Sequence, residues 1–176
     1  ADNWWTDDFA SIYAKARSLE IPGVSHAAEH GGPSEVIFAI EHFQAQRIQH
    51  GIGVMSSPAA VALLVDNAIP CDVCPGSNVA LHAVESPEAH PLPQMLEAGI
   101  TVTISTDDPP MFQTSLLDDY QRAWDWCSLD EAGIGQLARN SIQASFALET
   151  NKQQWLAELD QRALSAAGGT TVGERH

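Results

Sequence analysis

Four short stretches of this 176-residue chain gather the side chains best suited to chemistry: His26 with Glu29, His50 before Gly51, Ser77 with Asn78, and the adjacent acids Asp107 and Asp108 before Pro109-Pro110. Two imidazoles and several carboxylates brought into one pocket suit a divalent metal and an activated water. Taken singly, each has a plainer reading. A histidine at a strand end is commonly a satisfied hydrogen bonder, and Asp before Pro is common in turns. The set gains weight because all four stretches close a β-favouring run.

The elements that must position them follow from the pattern. Thr101 to Thr106 is β-branched and alternating and reads as a strand, stopped by two prolines that lack a backbone donor. Val24-Ser25-His26, Gln46 to Gly51 and Cys71 to Pro75 read as three further short strands. Between them lie helical stretches. Asp7-Asp8 precede Phe9, Ile12, Tyr13 and Ala16, and Ser34-Glu35 precede Val36, Ile37, Ile40 and Phe43. Ser57-Pro58 opens a third helix, with proline at its first position and Val61, Leu64 and Val65 inward. Residues 79–91 read as a mixed loop, and Pro93 to Ala98 as a short helix ended by Gly99. Leu116 to Trp126, Asp130 to Ala147 and a stretch around Trp155, Leu156 and Leu159 complete the helices, and the glycine-rich end 168–171 reads as a flexible tail. The result is an α/β chain of four βα units. Parallel strands joined by crossover helices put their C-terminal ends on one rim, where chemistry sits in such folds.

Composition narrows the partners. Eight basic against 23 acidic residues give a formal charge of −15, which repels nucleic-acid phosphates and anionic membranes. Neither is expected as a partner. Three cysteines form no disulfide framework and fit a reducing, cytoplasmic setting; no run reaches transmembrane length and no leader is evident. The first residues, Ala1-Asp2-Asn3, read as a start inside something longer.

The stretches Ser25-His26-Ala27-Ala28-Glu29, Arg47-Ile48-Gln49-His50-Gly51, Cys74-Pro75-Gly76-Ser77-Asn78 and Ser105-Thr106-Asp107-Asp108-Pro109 together resemble the adenosine deaminase family of zinc aminohydrolases, in order and spacing, over about residues 1 to 160. The resemblance implies the C-terminal half, strands five to eight, of a (β/α)8 TIM-type barrel, with 161–176 as a tail beyond it. It implies hydrolysis of the 6-amino group of adenosine, adenine, aminodeoxyfutalosine or another 6-aminopurine, with Zn2+ as cofactor. Carried over to this sequence, His26 and Asp107 match zinc ligands, and Asp107 also matches the catalytic carboxylate that touches the metal-bound water. Glu29 matches the acid that protonates purine N1, His50 the histidine that orients the attacking oxygen, and Asp108 a carboxylate that binds the purine at N7.

Departures accompany the match. Ala28 and Gln49 stand where the family usually has glycine, and the His-x-His pair that supplies the family's other two zinc ligands occurs nowhere in the sequence. The glycine that meets purine N3 is not identifiable either. The site therefore needs an N-terminal half as partner, and the alternative is a noncatalytic remnant or partner subunit without a complete metal site. Other conspicuous residues have plain readings. Cys71 and Cys74 read as strand residues, His30, His82 and His90 as turn or surface histidines with His90 able to line the rim, and the five tryptophans as packing, with Trp4-Trp5 a possible cover for the pocket. Met111-Phe112 offer an apolar wall for a flat base or part of the core.

Overall fold

The computed structural model describes residues 7–169. Four strands, β1 (Val24–Ala27), β2 (Arg47–His50), β3 (Cys71–Val73) and β4 (Val102–Ile104), pair in parallel in chain order. Helix α1 (Asp7–Ser18) precedes them, and α2 (Pro33–Glu41) crosses from β1 to β2. A 3-10 turn, Ile52–Ser56, and α3 (Pro58–Asp66) lead to β3; α4 (Pro75–Ala80), a 3-10 turn at Pro87–Ala89 and α5 (Leu92–Glu97) lead to β4. Helices α6 (Pro109–Phe112), α7 (Leu116–Trp126), α8 (Glu131–Ala144) and α9 (Glu149–Gly169) follow. Because every connection is a crossover, all four strand ends open on the same side.

The two sheet faces have different fates. Toward the helices, Ile48, Val73 and Val102 join Val36, Leu64, Leu92 and Met95 in a continuous apolar core. On the other face the register sets His26, Gln49, Asp72 and Thr103 in one row across the four strands. Polar residues there are satisfied by one another. Arg47 Nε donates to Asp72 Oδ2 at 3.0 Å, its second nitrogen also reaches that carboxylate, and Thr103 Oγ1 donates to Asp72 Oδ1 at 2.7 Å. Arg47 further donates to the Ala144 carbonyl at 2.6 Å and lies over the Phe146 ring, tying the end of α8 beneath the sheet. Removing either partner of so buried a pair costs about 3–5 kcal/mol, because the other charge stays behind unpaired.

Several elements differ from the sequence expectation. Strand β4 is three residues long, and the expected strand end at Gly76-Ser77-Asn78 is instead the first turn of α4, with Pro75 at its first position. Proline's fixed φ suits a helix start. Helix α2 likewise begins at Pro33 and not with a Ser34 cap; Gly32 makes no side-chain cap, and Glu35 reaches back to the Ala28 amide at 2.6 Å. It ends at Glu41, leaving Phe43 to stack on Tyr13 with ring centroids 4.5 Å apart. Helix α8 stops at Ala144, where Ser145 caps it in extended backbone. Helix α9 continues through Gly169, so 161–169 extend a helix, whereas residues 170–176, like Trp4 and Trp5, lie outside the described residues. Trp124 and Trp155 are exposed, so the packing expected of them is not seen; Trp126 does pack on the core. Met111 is exposed as well, which removes it from the core. No helix among the described residues is long and apolar enough to cross a membrane.

Candidate active site

Three of the four strand ends turn through a residue in left-handed backbone: Ala28 (φ 53°), His50 (φ 67°) and Asp107 (φ 58°). Each such non-glycine residue costs about 1–2 kcal/mol. Neighbouring bonds hold the turns in place. The Gly51 amide donates to the Ala27 carbonyl at 3.0 Å and the Gly53 amide to the Ala28 carbonyl at 2.8 Å, lacing the loops after β1 and β2 together. Gly51 has φ 71°, and a β-carbon there would lie 2.6 Å from Cys71 Sγ, so the bend after His50 needs glycine twice over.

Glu29 is the centre of the cluster. Its Oε2 lies 3.2 Å from His26 Nε2; its Oε1 accepts from Asn78 Nδ2 at 3.1 Å and lies 3.5 Å from His50 Nδ1. The His26 and His50 rings meet edge to face at 4.6 Å. Glu29 and His50 are buried, while the His26 side chain, on the open face of edge strand β1, is 58% exposed. Burial holds the His50 pKa below the ordinary histidine value; Glu29 opposes that shift and His26 adds to it. Beside this cluster an open cleft of about 470 Å³ is bordered by Glu29, Gly31, Gly53, His82 and Pro91.

One imidazole or carboxylate atom from each of His26, Glu29 and His50 lies within 4.8 Å of the others, a donor set of the kind zinc takes. Asp107 is not part of that group. It sits exposed at the end of β4, near enough that its charge raises the proton affinity of His50. Asp108 is exposed too, and its Oδ1 caps α6 by accepting from the Met111 amide at 3.1 Å. The two cysteines of the C-x-x-C are buried and free, and burial pushes the Cys74 thiol up to about 12, far from a thiolate ligand.

The model for the adenosine deaminase family matches residues 4–162. This chain belongs to the adenosine deaminase family. Among curated relatives of this deaminase-family chain, an aminodeoxyfutalosine deaminase of Streptomyces avermitilis is 40% identical over 152 residues, covering 86% of this chain and 42% of that protein. An adenine deaminase of Cupriavidus necator is 37% identical over 154 residues, covering 88% and 44%. The chain thus spans less than half the length of these relatives. In structure it is similar to the adenine deaminase of Arthrobacter aurescens, with a TM-score of 0.86, 33% identity, and 89% of this chain against 48% of that one. A more distant amidohydrolase from Burkholderia ambifaria, solved with bound Zn, shares the fold at TM-score 0.83 and 22% identity. The fold is therefore part of the deaminase TIM barrel, four parallel strands of it.

The structure brings His26, Glu29 and His50 together, as their strand-end positions suggest, and leaves Asp107 and Asp108 at the rim's edge. Two members of the buried cluster have no role in the sequence reading. Asn78 had a place at the rim and no role, yet it is fully buried and bonds Glu29 and His50 at once. His90, read as a loop residue at the surface or rim, is in fact 1% exposed; the turn Pro87–Ala89 and α5 fold it inward, where it bonds Asn78. His82 is exposed, as expected.

Proposed function

We propose that this deaminase-family chain forms strands five to eight, the C-terminal half, of a zinc-dependent barrel that hydrolyses the exocyclic 6-amino group of adenine, aminodeoxyfutalosine or adenosine. The observation that carries the reading is the meeting of His26, Glu29 and His50 at adjacent parallel strand ends, in a chain whose relatives include an adenine deaminase and an aminodeoxyfutalosine deaminase. In this reading residues 1–160 are the half-barrel, and an N-terminal half supplies the remaining zinc ligands and covers the open face of β1.

Zinc, held by His26 and Asp107 from this half, would supply Lewis-acid activation of water at neutral pH. The chain's own residues then divide the work. Glu29, protonated, donates to ring nitrogen N1, so that C6 becomes electron-poor as water adds. The buried His50 ring stands beside that carboxyl group and orients the incoming oxygen. The C6–O bond forms and the C6–N bond breaks with its electron pair leaving on nitrogen; one hydrogen of the water completes the ammonia and the other restores Glu29, giving a 6-oxopurine that keeps the hydrogen on N1. Asp108 leaves Oδ2 outside its capping bond, and as a carboxyl hydroxyl that oxygen donates to N7, which offers only a lone pair.

The test begins with the intact polypeptide: its mass, its zinc content, and its turnover of adenine, aminodeoxyfutalosine and adenosine. About one zinc per polypeptide and ammonia release from one of the three support the reading. Glu29→Gln should then lower kcat at least about a hundredfold with zinc retained, as expected for loss of a general acid. Unchanged turnover in that variant removes Glu29 from its role. Asp107→Ala should lose zinc; full occupancy in Asp107→Ala would instead favour His26, Glu29 and His50 as the ligand set.

A further inference from the structure

The hydrogens of the buried cluster can be assigned from a single backbone donor. The Leu92 amide donates to His90 Nδ1 at 3.1 Å, and an amide N–H can only donate, so Nδ1 carries no hydrogen. Burial pushes the His90 pKa down to about 4, which keeps the ring neutral at ordinary pH. Its one hydrogen is then on Nε2, which lies 3.3 Å from Asn78 Oδ1. That fixes the Asn78 amide. With Oδ1 accepting from His90, the NH2 group faces Glu29 Oε1 at 3.1 Å and His50 Nδ1 at 3.2 Å. The opposite amide orientation would set a donor against the His90 N–H and an oxygen against the Glu29 carboxylate.

We infer that His90 is a positioning residue that locks the Asn78 side chain and, through it, the hydrogen-bonding polarity of Glu29 and His50. Two consequences reach the proposed chemistry, on which this inference rests for its kinetic part. His50 Nδ1 accepts, so the neutral His50 ring carries its hydrogen on Nε2. Glu29 Oε1 accepts, so an acidic hydrogen on Glu29 belongs on Oε2, the oxygen beside His26. Asn78 and His90 are both fully buried, so water is a poor substitute for either bond. His90 touches no reacting atom. Its effect passes through Asn78 alone.

The test uses the intact protein, labelled with 15N in histidine, at mildly alkaline pH. Ring-nitrogen shifts should show His90 and His50 both hydrogenated on Nε2. In His90→Leu the Asn78 amide loses its anchor, and His50 should gain a population with hydrogen on Nδ1. Turnover should fall about ten- to hundredfold in kcat with little change in KM, the scale seen when outer partners of a site are removed. His90→Gln, whose NH2 can still donate to Asn78, should recover most of both. A wild-type His90 hydrogenated on Nδ1, or a His50 pattern identical in wild type and His90→Leu, overturns the inference. Should His90→Leu fail to fold, Asn78→Asp replaces the NH2 with an acceptor and must drive His50 to the Nδ1 form; persistence of the Nε2 form there overturns it equally. The tautomer readout needs no substrate, so absence of deaminase activity would refute the functional reading while leaving this result to stand or fall separately.

Discussion

Asp119 offers the sharpest test of how the rim is held. It lies on α7, fully buried, and its carboxylate gathers three donors from different elements: the Gly76 amide of α4 at 2.8 Å, Thr114 Oγ1 at 3.0 Å and Arg122 Nη1 at 3.2 Å. Helix α4, which carries Asn78, is thereby fastened to the segment that follows Asp107 and Asp108. In Asp119→Ala the buried Gly76 N–H loses its acceptor, which costs about 1–3 kcal/mol. Arg122, with 24% of its side chain exposed, recovers water, so its share stays below about 1 kcal/mol. The expected loss is about 1–4 kcal/mol. Asp119→Asn keeps an oxygen for Gly76 and gives up only the charge, for a loss of about 1 kcal/mol. Urea unfolding of the intact protein reads both losses as lower midpoints at unchanged slope, and hydrogen exchange at the Gly76 amide should accelerate only in the alanine variant. Equal losses in the two variants, or an unaltered Gly76 exchange rate in Asp119→Ala, would refute the reasoning.

Three further outcomes can be checked alongside it. The His90 pKa lies near 4 in the fold against an ordinary 6.5, so between those values the unfolded chain binds a proton that the native one refuses. Stability should therefore fall as pH drops from 6.5 toward 4, by about 3 kcal/mol in all, and His90→Gln should flatten that part of a pH-dependent unfolding series. Gly51→Ala combines left-handed strain of about 1–2 kcal/mol with overpacking against Cys71 of about 1–3 kcal/mol. Its melting temperature should drop accordingly, and adding Cys71→Ala should restore the steric share, measurable as a coupling in a double-mutant cycle. Ala28→Gly relieves about 1 kcal/mol of backbone strain and gives up about 0.8 kcal/mol of buried methyl, so calorimetry should find it close to neutral. Ala28→Val, β-branched at the same φ, should cost clearly more than Ala28→Gly in the same scans.

The positions of His26, His50 and Asp107 could be read from the chain because punctuation marks them: each ends a β-favouring run, and glycine or proline follows within a few residues. Family resemblance then gave the pieces their order. Periodicity could not show that Asn78 belongs to a helix, since Pro75 and Gly76 look alike as the end of a strand and as the start of a helix. His90 was hidden for a different reason. Its burial comes from a turn and a short helix only a few residues away, with no apolar period to announce them, and its partner lies 12 residues back. Asp108 shows the converse, because the turn reading of Asp before Pro and the ligand-binding reading are compatible: one oxygen caps α6 and the other is left over. The left-handed backbone at Ala28 has no signal in the sequence beyond alanine standing where the family resemblance implies glycine.

The bond from Arg47 to the Ala144 carbonyl spans 97 residues, whereas Arg47 and Asp72 are 25 apart. At a ribosome adding roughly 5–20 residues per second, the carboxylate follows Arg47 within about 1–5 s and the α8 carbonyl only after about 5–20 s. The guanidinium thus has a companion early and a second one late. During that interval β2 and β3 can be clamped in register while the underside of the sheet is still uncovered. The nascent chain acquires its row of strand ends before it acquires the floor that closes beneath them.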